Sequence, residues 1–245
     1  MGFVVDINAD VGEGLHNEAL LMPYLSSCNI ACCGHAGDVD TMKNAVTLAE
    51  TYNVKIGAHP SFPDRENFGR LDMNIPLDEL FGSLTSQVIS LLKVLDTYNL
   101  KLNHIKPHGA LYNLAVKDNN ISKVILKVIK RLPYPVILYA PYQSVISKLA
   151  IEQNIEVVFE AFADRNYNDD LSLVSRQKSN AIIHKKDEVF EHVFYMISNQ
   201  KVKTISRVEV PIKASTFCVH GDTENAVEIL KYLHVNLKQK GIKIV

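Results

Sequence analysis

Four histidines, His35, His59, His108 and His220, each fall in a short polar segment beside glycine: "GHAGD" (34–38), "GAHPSFPDR" (57–65), "KPHGALYN" (106–113) and "VHGD" (219–222). Two further segments of the same kind, "NADVGEG" (8–14) and "FADR" (162–165), add Asn8, Asp10, Glu13, Asp164 and Arg165. Imidazole, carboxylate and ammonium groups move protons near neutral pH and stabilise developing charge, so the chemistry indicated is acid–base catalysis on a polar bond. Asp10 reads as a site residue, whereas Glu13 divides evenly between the site and a helix-capping turn. Lys106, in an apolar strand end, must meet an acidic group or an oxyanion, because a buried unpaired ammonium is costly. His104, two residues earlier, either shares its face or is a satisfied core histidine. Arg65 or Arg70 is placed to hold a substrate carboxylate bidentately, or else to bridge loop carboxylates. Asp164 and Arg165 divide between a structural ion pair and the site. Asp38 reads as the N-cap of the following helix, and Asp222 or Thr223 as the cap of the last one.

Asp10, His35, His59 and His108 are also the ligand types of a divalent-metal site, but no close pair such as HExxH is present, and a metal is left open. The four cysteines, Cys28, Cys32, Cys33 and Cys218, include an adjacent pair and no CxxC. They are expected to be reduced, to bind no metal and to serve as small apolar residues. No GxxxxGK[ST] phosphate loop occurs in the chain.

These segments need elements to hold them. Short β-rich runs at 3–9, 27–33, 54–58, 102–106, 136–140, 157–162 and 216–220 alternate with stretches of helical apolar spacing at 38–52, 77–100, 118–131, 141–153, 187–199 and 222–240. Such alternation predicts a mainly parallel sheet with right-handed crossovers, and most of the polar segments follow a strand. In parallel α/β folds the loops beyond the carboxyl ends of the strands converge, so the four histidines are expected at one mouth. Only 201–213 alternates without a helix, which predicts an antiparallel hairpin. No linker or low-complexity tract interrupts residues 1–245, so one domain is expected.

The chain has 245 residues and a formal net charge of −1, with no basic stripe to follow a phosphate backbone; nucleic acid is not an expected partner. Asp6 interrupts any apolar signal core, and no apolar run reaches the roughly 18 residues of a membrane span. A soluble, cytoplasmic protein is expected.

Taken together, "DINADVGEG", "NIACCGHAGD", "IGAHPSFPDRENFGR", "HIKPHGALYN", "FADR" and "CVHGDT", in this order, resemble the LamB/YcsF family from about residue 4 onward. The resemblance implies a distorted seven-stranded β/α, TIM-like barrel of the glycoside hydrolase and deacetylase type. It also implies ATP-dependent cleavage of 5-oxo-L-proline to L-glutamate, carried out with 5-oxoprolinase subunits B and C. Carried over by position, the motif residues are Asn8, Asp10, Glu13, His35, Asp38, His59, Arg70, Lys106, His108, Asp164, Arg165, His220 and Asp222. Within that set Asp10, His35, His59, Lys106 and His108 are expected to be catalytic. Asp10 and His35 would be the acid–base pair, with Lys106 at the carbonyl oxygen. Asn8, Glu13, Arg70, Asp164, Arg165 and His220 are expected to bind substrate, Arg70 through its carboxylate. ATP is expected to be bound with or by the partner subunits. Where the family usually has Gly-Phe before the motif histidine, this chain has Cys33-Gly34. Two other readings of the residues remain: a stand-alone, metal-dependent amide or carbohydrate hydrolase, and a non-catalytic lactam- or sugar-binding subunit.

Overall fold

The computed structural model describes residues 2–245. All seven expected strands are present, as β1 Val4–Val11, β2 Ser27–Ala31, β3 Lys55–His59, β4 His104–Ile105, β5 Ile137–Pro141, β6 Val157–Phe162 and, after an excursion, β9 Thr216–Cys218. They pair in parallel in that order, and β9 pairs back onto β1, so the sheet closes into a seven-stranded barrel. The excursion is the expected hairpin, β7 Lys201–Lys203 against β8 Glu209–Pro211, antiparallel. One strand was not foreseen: β10 Lys243–Ile244 lies parallel to the first two residues of β1, and two residues carry no readable period.

The helices are α1 Glu18–Leu21, α2 Val39–Tyr52, α3 Leu77–Thr97, α4 Gly109–Ala115, α5 Asn119–Lys130, α6 Val145–Glu152, α7 Lys186–Asn199 and α8 Ala226–Gln239. They form where apolar residues recur at three- and four-residue steps. On α3, Leu80, Leu84, Val88, Leu91 and Leu95 make one fully buried stripe against the barrel, each contributing about 1.5–3 kcal/mol of transfer free energy. Asp38 caps α2 as expected, accepting from the Thr41 amide at 2.8 Å. The cap expected for α8 is not where the sequence places it. That helix begins later, at Ala226, behind Asn225 with φ 60°, and Asp222 and Thr223 turn to other partners. The "HGALYN" stretch is likewise a helix, α4, not a strand-end loop.

Alternation along β1 sets the character of the interior. Val5, Ile7, Ala9 and Val11 belong to the apolar core shared with the helices, while Asp6, Asn8 and Asp10 are buried and hydrogen-bond across the barrel. The barrel is therefore apolar outside and polar within. Gly57 leaves no room there: a Cβ would lie 2.1 Å from Nε2 of His104, a fully buried ring stacked 3.8 Å from Tyr139. Gly57→Ala should lower stability by about 3 kcal/mol, since neither ring can yield without breaking its contacts. A melting temperature roughly 6–12 °C lower, read by circular dichroism, is the expected result for a chain of this size. An unchanged value would show that the interior yields.

Candidate active site

The site stands on a column of polar side chains inside the barrel. At its base Asp6 Oδ1 accepts from Ser27 Oγ at 2.8 Å and Thr216 Oγ1 at 2.5 Å. Above it Asn8 Nδ2 donates to Thr216 Oγ1 at 2.7 Å and Glu160 Oε1 at 3.0 Å. Asn29 Nδ2 donates to Asn8 Oδ1 and to Asp10 Oδ1, both at 2.8 Å, and His104 Nε2 donates to Asn29 Oδ1 at 2.7 Å. Tyr112 donates its hydroxyl to Glu160 Oε2 at 2.7 Å. Every one of these groups is buried, and each hydrogen bond offsets the desolvation of its members.

Lys106 closes the top of the column. Its ammonium lies 3.0 Å from Asp10 Oδ1, 3.0 Å from Glu160 Oε1 and 3.0 Å from Cys218 Sγ. Burial disfavours that charge, yet Asp10 chief among its neighbours holds the lysine well above its ordinary value. Burial likewise opposes ionisation of Asp10, but the facing His59 ring and the Lys106 ammonium outweigh it and keep the carboxyl well below the usual range. The lysine is 2% exposed and braces Asp10 from below.

At the mouth, three imidazoles and one carboxylate converge. Each is delivered by a strand end: Glu13 after β1, His35 after β2, His59 as the last residue of β3, and His108 at the start of α4. His59 Nδ1 donates to the Lys106 carbonyl at 2.7 Å, and His108 Nε2 donates to the Phe68 carbonyl at 2.9 Å. Their remaining nitrogens face each other at 2.9 Å. His35 stacks on His108 with ring centroids 3.6 Å apart, and its Nε2 lies 2.9 Å from Glu13 Oε1. Asp10 Oδ2 lies 3.4 Å from His59 Nε2 and so borders the cluster. Burial drives His35 down to about 3 and His108 well below the ordinary imidazole value, so both rings are neutral at physiological pH. Burial, reinforced by the Asp10 charge, pushes Glu13 up to about 7.

The segment from Pro60 to Arg70 covers this cluster. Phe68, at φ 56°, sets its ring edge-on against His35 at 5.1 Å and His108 at 5.4 Å. Gly109 makes the closure possible: with φ 53° it passes so near the segment that a Cβ there would lie 2.5 Å from the Gly69 carbonyl oxygen. The Ala110 amide donates to that same oxygen at 2.9 Å.

A second group stands at the end of β9. His220 Nδ1 donates to Asp164 Oδ1 at 2.8 Å, the His220 amide donates to Asp164 Oδ2 at 3.1 Å, and Thr223 donates its hydroxyl to the same oxygen. Burial raises the Asp164 carboxyl, but His220 and the hydroxyl outweigh it, so the acid stays ionised and fixes the imidazole's tautomer. Among the described residues nothing in the protein hydrogen-bonds His220 Nε2. Phe162 stacks on the ring at 5.1 Å. At the rim, Arg70 and Arg176 share one oxygen of Asp222, at 2.6 and 3.2 Å. Two guanidinium groups on one carboxylate leave an excess of positive charge there.

The residues singled out in the sequence thus divide by place. Asp10, Glu13, His35, His59 and His108 meet at the mouth, Asp164 with His220 forms a neighbouring pair, and Arg70 lies on the rim. Asn8 sits within the column, with no access from the mouth. Arg165 is buried and donates to the carbonyls of Ala181 and Val174, so it clamps the 174–181 segment rather than pairing with Asp164. Glu160, Asn29 and Arg176 were not foreseen. Glu160 and Asn29 left one signal, a polar residue inside an otherwise apolar strand; Arg176 left none. All four cysteines are free thiols; burial raises Cys28 and Cys218 far above the ordinary value and Cys32 to about 12. Cys33, at φ 70°, takes a left-handed turn, and Gly34 leaves no room for a side chain against Gln87 and Ser61. No described helix is long and apolar enough to cross a membrane.

Known proteins share this chain's length and its fold. A protein of Thermococcus sibiricus, named as the A subunit of 5-oxoprolinase, is 41% identical over 98% of this chain and 96% of its own. One of the same name from Histophilus somni is 38% identical over 98% and 97%. The solved lactam utilization protein of Thermus thermophilus superposes with a TM-score of 0.92 at 32% identity, covering 99% of both chains. A β-1,4-mannanase, at 14% identity and a TM-score of 0.53, shares the barrel alone. The LamB/YcsF family model matches residues 5–245, and with relatives this close along the whole length the chain belongs to the LamB/YcsF family.

Proposed function

We propose that this chain is the A component of an ATP-dependent 5-oxoprolinase, which opens 5-oxo-L-proline to L-glutamate together with subunits B and C. The observation that carries the proposal is the full-length similarity to proteins of that name. The geometry supplies chemistry of the required kind. A five-membered lactam is a resonance-stabilised amide, and water attacks its carbonyl only if a base takes a proton and the departing nitrogen receives one. Asp10, ionised and braced by Lys106, is the acceptor, with Oδ2 turned to the mouth. His220, oriented by the buried Asp164, is the proton carrier for the nitrogen. This role passes to His220 from His35, whose Nε2 is engaged with Glu13 and whose Nδ1 is buried. Arg70 and Arg176 take the substrate carboxylate in place of Asp222. ATP enters through the partner subunits, where phosphorylation of the amide oxygen would drive the opening.

The test is to reconstitute the chain with subunits B and C of a 5-oxoprolinase and to measure glutamate released from 5-oxoproline with and without ATP. Glutamate that forms only with all three subunits, in step with phosphate, is the expected result. Turnover of an amide by this chain alone, without ATP, would replace the proposal with that of a stand-alone hydrolase.

A further inference from the structure

The two facing nitrogens of His59 and His108 pose a problem that the amide chemistry leaves unsolved. A backbone carbonyl only accepts hydrogen bonds, so His59 Nδ1 and His108 Nε2 both carry hydrogen. Whenever both rings are neutral, His59 Nε2 and His108 Nδ1 each present a lone pair, 2.9 Å apart and away from solvent. Two acceptors at that distance repel unless a positive centre lies by them.

A bridging proton would satisfy these two nitrogens and nothing else. Two more donor atoms lie beside them: Glu13 Oε1 is 3.4 Å from His108 Nδ1, 3.9 Å from His59 Nε2 and 2.9 Å from His35 Nε2, and the His35 ring, now stacked on His108, would turn to bring its nitrogen in line. All four atoms fall within 4.8 Å of one another. Ligands bonded tetrahedrally at about 2.0–2.1 Å are separated by roughly 3.3 Å, which lies amid the distances here. His35 Nε2 carries the 2.9 Å bond to Glu13 Oε1, and because Nδ1 has no partner the ring can move its hydrogen to Nδ1 when a cation takes the place of that bond.

We propose that Glu13 Oε1, His35 Nε2, His59 Nε2 and His108 Nδ1 form a binding site for one divalent first-row cation of the zinc class. Three imidazoles and one carboxylate are a donor set suited to Zn²⁺ and to Co²⁺ as its spectroscopic substitute. The outer contacts are those of a built site, since the carbonyls of Lys106 and Phe68 fix two of the three rings through their far nitrogens. The inference rests on side-chain geometry and holds whichever amide the barrel works on.

The test uses the chelator-stripped full chain, without substrate, titrated with Zn²⁺ by calorimetry and with Co²⁺ by visible absorption. One equivalent of each should bind, Co²⁺ with the intense bands of a four-coordinate ion, and the melting temperature should rise with free metal. Glu13→Gln and His35→Ala should each weaken binding by roughly 10–100-fold or more while circular dichroism stays unchanged. If His35→Ala fails to fold, the isosteric Glu13→Gln decides the matter. Failure to bind either ion at millimolar concentration, or binding that Glu13→Gln leaves intact, overturns the site. Because no 5-oxoproline is present, that failure is separate from any failure of glutamate release.

Discussion

Asp10→Asn should cut glutamate formation by the reconstituted complex by roughly 10²–10⁴-fold, the usual loss when a general base is removed. The substitution is close to isosteric, and that makes the measurement clean. Asparagine at this position keeps an oxygen to accept from Asn29 and Lys106, which bond Asp10 Oδ1 at 2.8 and 3.0 Å. Its amide would take the place of Oδ2, 3.4 Å from His59 Nε2. The charge goes while the shape stays, so kcat should fall with little change in KM, and the variant should still assemble with its partner subunits. His220→Gln, which keeps a side chain near Asp164 but cannot carry a proton, should fall by a comparable factor. A loss under tenfold in Asp10→Asn would remove Asp10 as the base, while the family membership would stand.

Lys106→Met should be the most destabilising single change inside the barrel, at about 3–5 kcal/mol. The reason is what remains. Asp10 and Glu160 each lie 3.0 Å from the ammonium, and without it two buried carboxylates share a dry interior with no counter-charge. A double-mutant cycle identifies the cause. Glu160→Gln alone should also destabilise, but in the Lys106→Met background it should restore part of the loss, because it removes one of the two stranded charges. Additive losses in urea melts would mean that the lysine acts through packing and not through charge.

The fold was legible because its period is strong. The strands are short β-rich runs bounded by polar, glycine-containing segments, and the helices between them carry stripes such as Leu80, Leu84, Val88, Leu91 and Leu95. The gathering of Asp10, His35, His59 and His108 at one end of the barrel was legible for a topological reason, since all four lie at or just beyond the carboxyl ends of parallel strands. Partnerships were not legible. Nothing in "VVFEAF" says that Glu160 meets Lys106 across the barrel, and nothing in "FADR" says that Arg165 turns to carbonyls of a later segment instead of its neighbour. Such facts depend on where strands stand around a closed ring, and spacing along the chain does not record it. Helix α4 escaped notice because its seven residues begin with glycine directly after the site histidine. α8 starts late for a reason the sequence hides, namely that Asp222 and Thr223 are drawn to Arg70 and Asp164.

The cover formed by Phe68 also sets the tautomer of the ring beneath it. The oxygen that fixes the His108 tautomer belongs to Phe68 itself, and the next carbonyl, that of Gly69, is tied to the first turn of α4. The 2.9 Å bond that keeps hydrogen on His108 Nε2 is thus made by the very segment that lies over the rings, so the covering of the cluster and the direction of the His108 lone pair are set by one piece of chain.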